Sequence, residues 1–364
     1  MHLPCFKAYD VRGRVGTDLI PEICTRIGRA FAQVMPQGPV VLGRDNRDSS
    51  PTLSDAVAGG LRMGGREVLD ISQGGTEEVY FATSHLNAAG GIEITASHNP
   101  LSDNGLKFVG PGSRPLEHEG EYLKIKHLVE TAVFPAPARV GRHRHVSTRA
   151  AYADKIVAFV DPMLLAPLTV VLNVGNGAAG AALGAISDRL AQAGSALRLI
   201  PIHDDAQAGF PNGVPNPLLP QNRAPTIEAV LHHKADLGVA FDGDFDRCFL
   251  FDETGAFIDG EHVVALLARA LLAREPGAAI VHDPRVVFSI RQAIAQGGGR
   301  AFAAPTGHAN LKRAMREHQA VYGGEMSAHH YFRDFMFCDS GMIPWLMVAA
   351  LMSRTGQPLS ALTG

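Results

Sequence analysis

VVLGRDNRDSSPTLSDAVAGGLRMGGREVLDISQGGTEEVYFATSHLNAAGGIEIT, residues 40–95, holds the pattern on which the fold turns. VVLGRD (40–45), EVLDIS (67–72) and GGIEIT (90–95) are short β-type runs, and between them PTLSDAVAGGLRMG (51–64) and TEEVYFATSHL (76–86) carry helical spacing. Strands alternating with helices of this length predict α/β units with mainly parallel pairing. The same alternation resumes at TVVLNVG (169–175), LRLIPI (197–202) and DLGVAFD (236–242), and again at AAIVHD (278–283), AFAAPTG (301–307) and AVYGGE (320–325). In the helix following GAFIDG (255–260), Val263, Leu266, Leu267, Ala270 and Leu271 take the spacing of a core-facing stripe.

The stretch FPAPARVGRHRHVSTR (134–149) has neither period and reads as a linker. Its RHRH is readable as a phosphate or metal patch, but a solvated connection is the preferred reading of so short a run. The expected organisation is therefore three consecutive α/β domains, residues 1–140, 150–252 and 253–364, with mixed, mainly parallel sheets. A chain of 364 residues exceeds what one core usefully absorbs, which agrees with several domains.

Thirty-three Lys and Arg against 36 Asp and Glu leave a net charge of −3 with no massed basic run, which excludes nucleic acid as the expected partner. Cys5, Cys24, Cys248 and Cys338 lie far apart without a C-x-x-C pair, as expected of reduced thiols in a cytoplasmic protein. The N-terminus lacks an apolar leader, and the longest apolar stretches, such as 341–352 with its Pro344, are too short to span a membrane. Small molecules are the expected partners, and no oligomer is implied.

Three motifs carry chemistry. Asp242-Gly243-Asp244-Phe245-Asp246-Arg247 ends an apolar run. Carboxylates at i, i+2 and i+4 of an extended segment share one side, and their repulsion calls for a shared cation, with oxygen ligands favouring Mg²⁺, Mn²⁺ or Ca²⁺ over Zn²⁺. An EF-hand fits Glu253 at position 12 but fails at position 6, where Arg247 stands in place of Gly. An aspartyl-phosphate enzyme and a plain acidic turn stay open.

Thr95-Ala96-Ser97-His98-Asn99-Pro100 follows a strand, at the end where open α/β sheets bind ligands. Ser97 is readable as a nucleophile or phosphoryl carrier, or as part of a turn whose side chains bond their own backbone. In Gly323-Gly324-Glu325-Met326-Ser327-Ala328-His329-His330, the side chains of Glu325, Ser327 and His329 alternate onto one side and suit the grip of sugar hydroxyls; adjacent histidines point apart, which disfavours a metal pair. Loop glycines with incidental polar neighbours remain the plain alternative. No G-x-x-x-x-G-K-[ST] is present, so transfer from a nucleotide on a P-loop is not supported.

In this order and at these intervals TASHNP, DGDFDR and GEMSAHH, with AYDVRG at residues 8–13, resemble the α-D-phosphohexomutase family over the whole chain. The resemblance implies domains arranged around a central cleft, and an enzyme interconverting hexose 1- and 6-phosphates of mannose or glucose through a 1,6-bisphosphate. It implies a phosphoserine at Ser97 and Mg²⁺ held by Asp242, Asp244, Asp246 and the Ser97 phosphate. His98, Lys107 and His329 are the implied acid/base candidates, and glucose or mannose 1,6-bisphosphate is the implied activator. Sugar and phosphate contacts would fall to Tyr9, Arg12, Arg247, Arg285 in HDPR, His308 in TGH, Glu325, Met326, Ser327, Ala328 and His329. Met326 stands where the glucosamine-phosphate subgroup carries another residue, which favours unsubstituted sugars.

Family members continue into a fourth domain whose Arg-x-Ser-Asn-Thr loop holds the far phosphate, whereas this chain stops at Leu362-Thr363-Gly364 and has no Ser-Asn-Thr. The competing expectations are therefore a weakly active or non-catalytic sugar-phosphate binding protein and an aspartyl-phosphate phosphatase.

Overall fold

A computed structural model describes residues 3–136, 139–286 and 288–363. The chain divides into two compact units, one formed by Met1–Thr148 with Gln207–Val214, the other by Arg149–Ala206 with Pro215–Gly364.

The first unit holds one six-stranded sheet. Its strands are β1 (Val11–Arg14), β2 (Val40–Arg44), β3 (Val68–Gln73), β4 (Gly90–Ile94), β5 (Asp103–Val109) and β6 (His143–His145), in the order β1-β5-β4-β2-β3-β6. Helices α1 (Pro21–Val34), α2 (Ser50–Met63) and α4 (Leu123–Thr131) contribute to one core, and α3 (Thr76–His85) to another. Successive β2 side chains explain this layering, because Val40 and Leu42 join the cluster with α1 and α2 while Val41 joins Val79 and Ala82 of α3. A strand buried on both faces reads as an unbroken apolar run, as VVL does.

The second unit holds two sheets. β7 (Thr169–Asn173), β8 (Arg198–Ile202), β9 (Leu237–Phe241) and β10 (Cys248–Phe251) are ordered β10-β9-β7-β8, accompanied by α5 (Arg149–Val157), α6 (Ala179–Gln192) and α7 (Ala224–His233). The last sheet, β12-β11-β13-β14-β15, comprises β11 (Ala279–His282), β12 (Arg300–Ala303), β13 (Tyr322–Gly324), β14 (His330–Phe332) and β15 (Cys338–Asp339). Its helices are α8 (Gly260–Leu272), α9 (Phe288–Gln296), α10 (His308–His318), α11 (Met342–Thr355) and α12 (Leu359–Thr363). α8 buries Val263, Leu266, Leu267 and Ala270 of the expected stripe and leaves Leu271 half-buried, while Val264, Ala265, Ala268 and Leu272 are buried as well, so the helix is covered beyond one stripe. α11, apolar nearly all round, is a core helix with Trp345 fully buried. Among the described residues no helix is long and apolar enough to cross a membrane.

The three sheets repeat one four-stranded pattern: β3-β2-β4-β5, β8-β7-β9-β10 and β12-β11-β13-β14. In each, three strands are parallel and the last strand folds back antiparallel on the third. The hairpin loop at that reversal is TASHNP in the first sheet, DGDFDR in the second and EMSAH in the third. All three motifs therefore occupy one topological position.

The expected linker at 134–149 is corrected by β6, which pairs in parallel with β3 through Val68↔His143 and Asp70↔His145. A three-residue edge strand made of His and Arg has none of the β-branched or aromatic content that marks a strand in sequence. Pro137 and Ala138 of that stretch lie outside the described residues.

Candidate active site

In the first unit the ends of β4, β2 and β5 build the serine loop. Ser97 is buried in a left-handed conformation at φ +50°, and its N–H donates to Thr95 Oγ1 at 2.8 Å, so the side-chain-to-backbone turn is real. Its Oγ lies 3.0 Å from His98 Nδ1. Buried Arg47 fixes the loop from beneath: Nη1 donates to the carbonyls of Pro100 (2.8 Å) and Asp103 (3.1 Å), Nη2 to those of Ser97 (2.9 Å) and Asn99 (2.7 Å).

Asp45, 3.4 Å from Arg47 Nε, also accepts from the Arg47 N–H. Burial raises the Asp45 pKa, and Arg47 offsets only part of that. Arg12 of β1 donates to the Thr95 carbonyl. The approach is open because residue 105 is glycine, where a Cβ would fall on the Val11 carbonyl and 2.9 Å from that of Thr95. Lys107 of β5 is buried, with Nζ 3.3 Å from Thr76 Oγ1 at the start of α3. Tyr9 is half-buried in the preceding turn, whose Lys7 and Asp10 carbonyls sit 2.9 and 2.7 Å from the Tyr122 hydroxyl.

In the second unit the other two loops are one construction. Asp242, Asp244 and Asp246 are buried, and an oxygen from each lies within 4.8 Å of the others. They meet because the chain turns at Phe245, a buried residue at φ +48°, and not through strand alternation. The Arg247 guanidinium holds Asp242 Oδ2 at 2.8 Å from Nε and 2.7 Å from Nη2. Burial opposes its charge, but Asp242 and then Asp246 outweigh that and raise its pKa. With its side chain 3% exposed, Arg247 is held by the nearest of the three carboxylates, Asp242.

Arg247 and His329 form an antiparallel bridge, and the Cys248 N–H donates to the Ala328 carbonyl at 3.2 Å, which ties the carboxylate loop to EMSAH. His329 Nε2 is 3.5 Å from Asp246 Oδ1; its Nδ1 is 3.0 Å from Ser327 Oγ and 3.6 Å from Glu325 Oε2. Burial disfavours the imidazolium, yet Asp246 and then Glu325 prevail and raise the His329 pKa. Glu325 accepts from the Gly307 N–H at 2.9 Å, next to half-buried His308 at the start of α10, and from the Tyr331 hydroxyl at 2.5 Å. Asp283 accepts from the Met326 N–H (3.0 Å) and from Arg285 Nη2 (2.6 Å), and so brings HDPR to the same loop.

Ala328, at φ +68°, packs its methyl in a cluster with Ala240, Phe249 and Phe251. His330 is core, with Nδ1 2.7 Å from the Tyr322 hydroxyl, so the two histidines do diverge. Each motif loop thus contains one non-glycine residue in left-handed backbone, a strain of about 1 kcal/mol or more that clusters at functional sites.

The fit of a cation to the carboxylate loop follows from its donors. Three buried hard-oxygen ligands face one guanidinium, and such a set suits Mg²⁺. Residues 4–134, 150–255 and 259–364 match the models of phosphoglucomutase/phosphomannomutase α/β/α domains I, II and III.

The chain belongs to the phosphoglucomutase/phosphomannomutase family. A phosphomannomutase of Salmonella montevideo is 50% identical over 363 residues, 99% of this chain and 80% of that protein. A phosphoglucomutase/phosphomannomutase family protein from Burkholderia thailandensis superposes with a TM-score of 0.91 at 30% identity, over 100% of this chain and 79% of that one. An Aspergillus fumigatus N-acetylphosphoglucosamine mutase, solved in complex with GlcNAc-6P and magnesium, shares the fold at a TM-score of 0.62 and 14% identity, over 99% of this chain and 79% of that one. Membership in this family makes the chain a hexose-phosphate mutase.

Arg47 in the first unit, and Asp283 and Tyr331 in the second, hold the motif loops in place without belonging to the three loop motifs. Gly341 also lies outside them. At the start of α11, its Cβ would fall on the Phe245 carbonyl and 2.9 Å from that of Arg247, so glycine there lets the helix close on the carboxylate loop.

Proposed function

We propose that the chain interconverts the 1- and 6-phosphates of mannose and glucose through a phosphoryl group stored on Ser97. The P–O bond to Ser97 breaks as one forms to the free sugar hydroxyl, giving a 1,6-bisphosphate, and the reverse transfer returns the other phosphoryl to Ser97. His98, 3.0 Å from Ser97 Oγ, is placed to protonate the departing serine oxygen. His329, made more basic by Asp246 and Glu325, takes the proton of the sugar hydroxyl, and buried Lys107 remains the alternative base. Glu325 and Ser327 hold sugar hydroxyls, while Arg12, Arg285 and His308 meet phosphate. Asp242, Asp244 and Asp246 would hold Mg²⁺, which supplies charge neutralisation for the transferring phosphoryl when bound. A trace of 1,6-bisphosphate primes Ser97. Four buried cysteines, none of them in a disulfide, suit the reducing cytoplasm.

The observation that carries this reading is the bond of the carboxylate loop to the sugar loop through Arg247 and His329. Multiple turnover of mannose 1-phosphate and of glucose 1-phosphate, each with a trace of its 1,6-bisphosphate, tests it alongside peptide mapping of one phosphate to Ser97. Binding without turnover points to a sugar-phosphate binding protein, and phosphate on Asp242 or Asp244 to a phosphatase.

A further inference from the structure

The first unit carries a second cluster of ligand atoms, remote in sequence from every motif above. In β6 the alternation of a strand places His143 and His145 on one face, and the register sets His145 directly opposite Asp70 of β3. Asp70 Oδ2 lies 2.9 Å from His143 Nε2 and 3.5 Å from His145 Nδ1, and the three atoms fall within 4.8 Å of one another. Tetrahedral coordination at about 2.0–2.1 Å separates ligand atoms by about 3.3 Å, so rotation of the exposed His145 ring closes the set. The other Asp70 oxygen is engaged by the Ser72 N–H at 2.7 Å, which aims Oδ2 at the imidazoles, and Ser72 Oγ sits 3.3 Å from His145 Nδ1.

The backbone beneath is built for this and not merely tolerant of it. The register of β3 on β2 slips here, Leu42 facing Asp70 and Gly43 facing Ser72, while Ser72 adopts φ +65°. Such an irregularity re-aims the side chains beside it. β6 is secured independently by the Val68 N–H to the Arg142 carbonyl, the Val146 N–H to the Asp70 carbonyl and, through Arg144, by Glu67 at 2.7 Å. The backbone thus sets Asp70 and His143 in place, and only the His145 ring has to turn.

We propose that Asp70, His143 and His145 form a binding site for a borderline divalent transition-metal ion, zinc foremost, that staples β6 to β3. Two imidazoles and a carboxylate suit zinc, with water completing the shell, whereas Mg²⁺ prefers all-oxygen sets. The site shares no ligand with the Asp242–Asp246 loop, so the two ions are separable by variant.

The full chain, stripped with chelator and kept in excess Mg²⁺, is titrated with Zn²⁺ by calorimetry. Loss of an outer-shell partner alone lowers zinc affinity about 10- to 100-fold, so removing a ligand should cost at least about tenfold. One zinc equivalent should weaken by that factor in His143→Ala and in His145→Ala, and persist in Asp244→Asn. Zinc should also raise the melting temperature of the parent but not of His145→Ala, whose 75%-exposed side chain is removable without harm to folding. Absence of zinc uptake by the parent, equal uptake by His145→Ala, or loss of the equivalent in Asp244→Asn overturns the proposal.

Discussion

Asp244 gives the most direct test at the scale of one residue. It is fully buried between two other carboxylates, and Asp244→Asn keeps its shape while removing one charge and one of three ligands. Mg²⁺ affinity measured by calorimetry should fall at least about tenfold, as expected of a lost ligand; an unchanged isotherm places the ion elsewhere. Arg47 is the contrasting case, because it acts through the backbone, binding four carbonyls in and beside the serine loop. Lysine is a point charge on a flexible stem and cannot reproduce that fork. Arg47→Lys should therefore destabilise the chain by about 2–4 kcal/mol, read from denaturant midpoints, and slow transfer from a 1,6-bisphosphate to Ser97, read by intact mass. Asp244 is legible in the sequence because its chemistry is spelled within six consecutive residues. Arg47 is not: it lies 50 residues before Ser97, and only the parallel pairing of β2 with β4 brings its turn under that loop.

At the scale of elements, the hairpin reversal is the common device. A parallel strand delivers its C-terminal end to the binding edge of a sheet, and the antiparallel strand that follows holds the loop at both ends. Glu325 shows what such a loop can add, since one carboxylate joins β13, the start of α10 and β14 through the Gly307 N–H and the Tyr331 hydroxyl. Glu325→Ala leaves both donors without that acceptor, at about 1–3 kcal/mol each when buried. It should weaken mannose 1-phosphate binding in calorimetry while Ser97 remains phosphorylated, because Ser97 belongs to the other unit. Loss of the phosphate in this variant would contradict that division. The parallel strands were readable from their apolar runs. β1 within AYDVRG and β5 within DNGLKFV were not, because glycine and charged residues interrupt them for the sake of Arg12 and Lys107. β6 is illegible for the related reason that it consists of His and Arg, without the β-branched or aromatic residues of a strand.

For the whole molecule, alternation made three α/β domains legible, but the repetition of one strand order in all three was not, since it lives in pairing and leaves no repeated sequence. Stability against pH likewise belongs to the whole chain, and buried titrating groups bound it from both sides. Burial, with His329 adding to it, pulls the His330 pKa down to about 3 from an ordinary 6.5. The unfolded chain then binds a proton that the folded chain refuses, so stability falls as pH drops from about 6.5 towards 3, by up to ~1.4 kcal/mol per pH unit. On the alkaline side burial raises the Tyr322, Tyr331 and Cys338 pKa values above their ordinary 10.0, 10.0 and 9.0. These groups lose protons first in the unfolded chain, so their contribution is complete below pH 9 and is lost as pH rises beyond it. Denaturant titrations across pH should show stability falling below about 6.5 and again above about 9, with a shallower decline beginning above 6.5 as His329, whose pKa is raised in the folded chain, loses its contribution. His330→Gln carries no titrating imidazole, so its acid limb should be shallower than the parent's. Tyr322→Phe, which removes the hydroxyl facing His330, should flatten the alkaline limb. Acid limbs of equal slope in parent and His330→Gln would mean that His330 is protonated within the folded chain, and the hydroxyl of Tyr322 could not then be donating to its Nδ1.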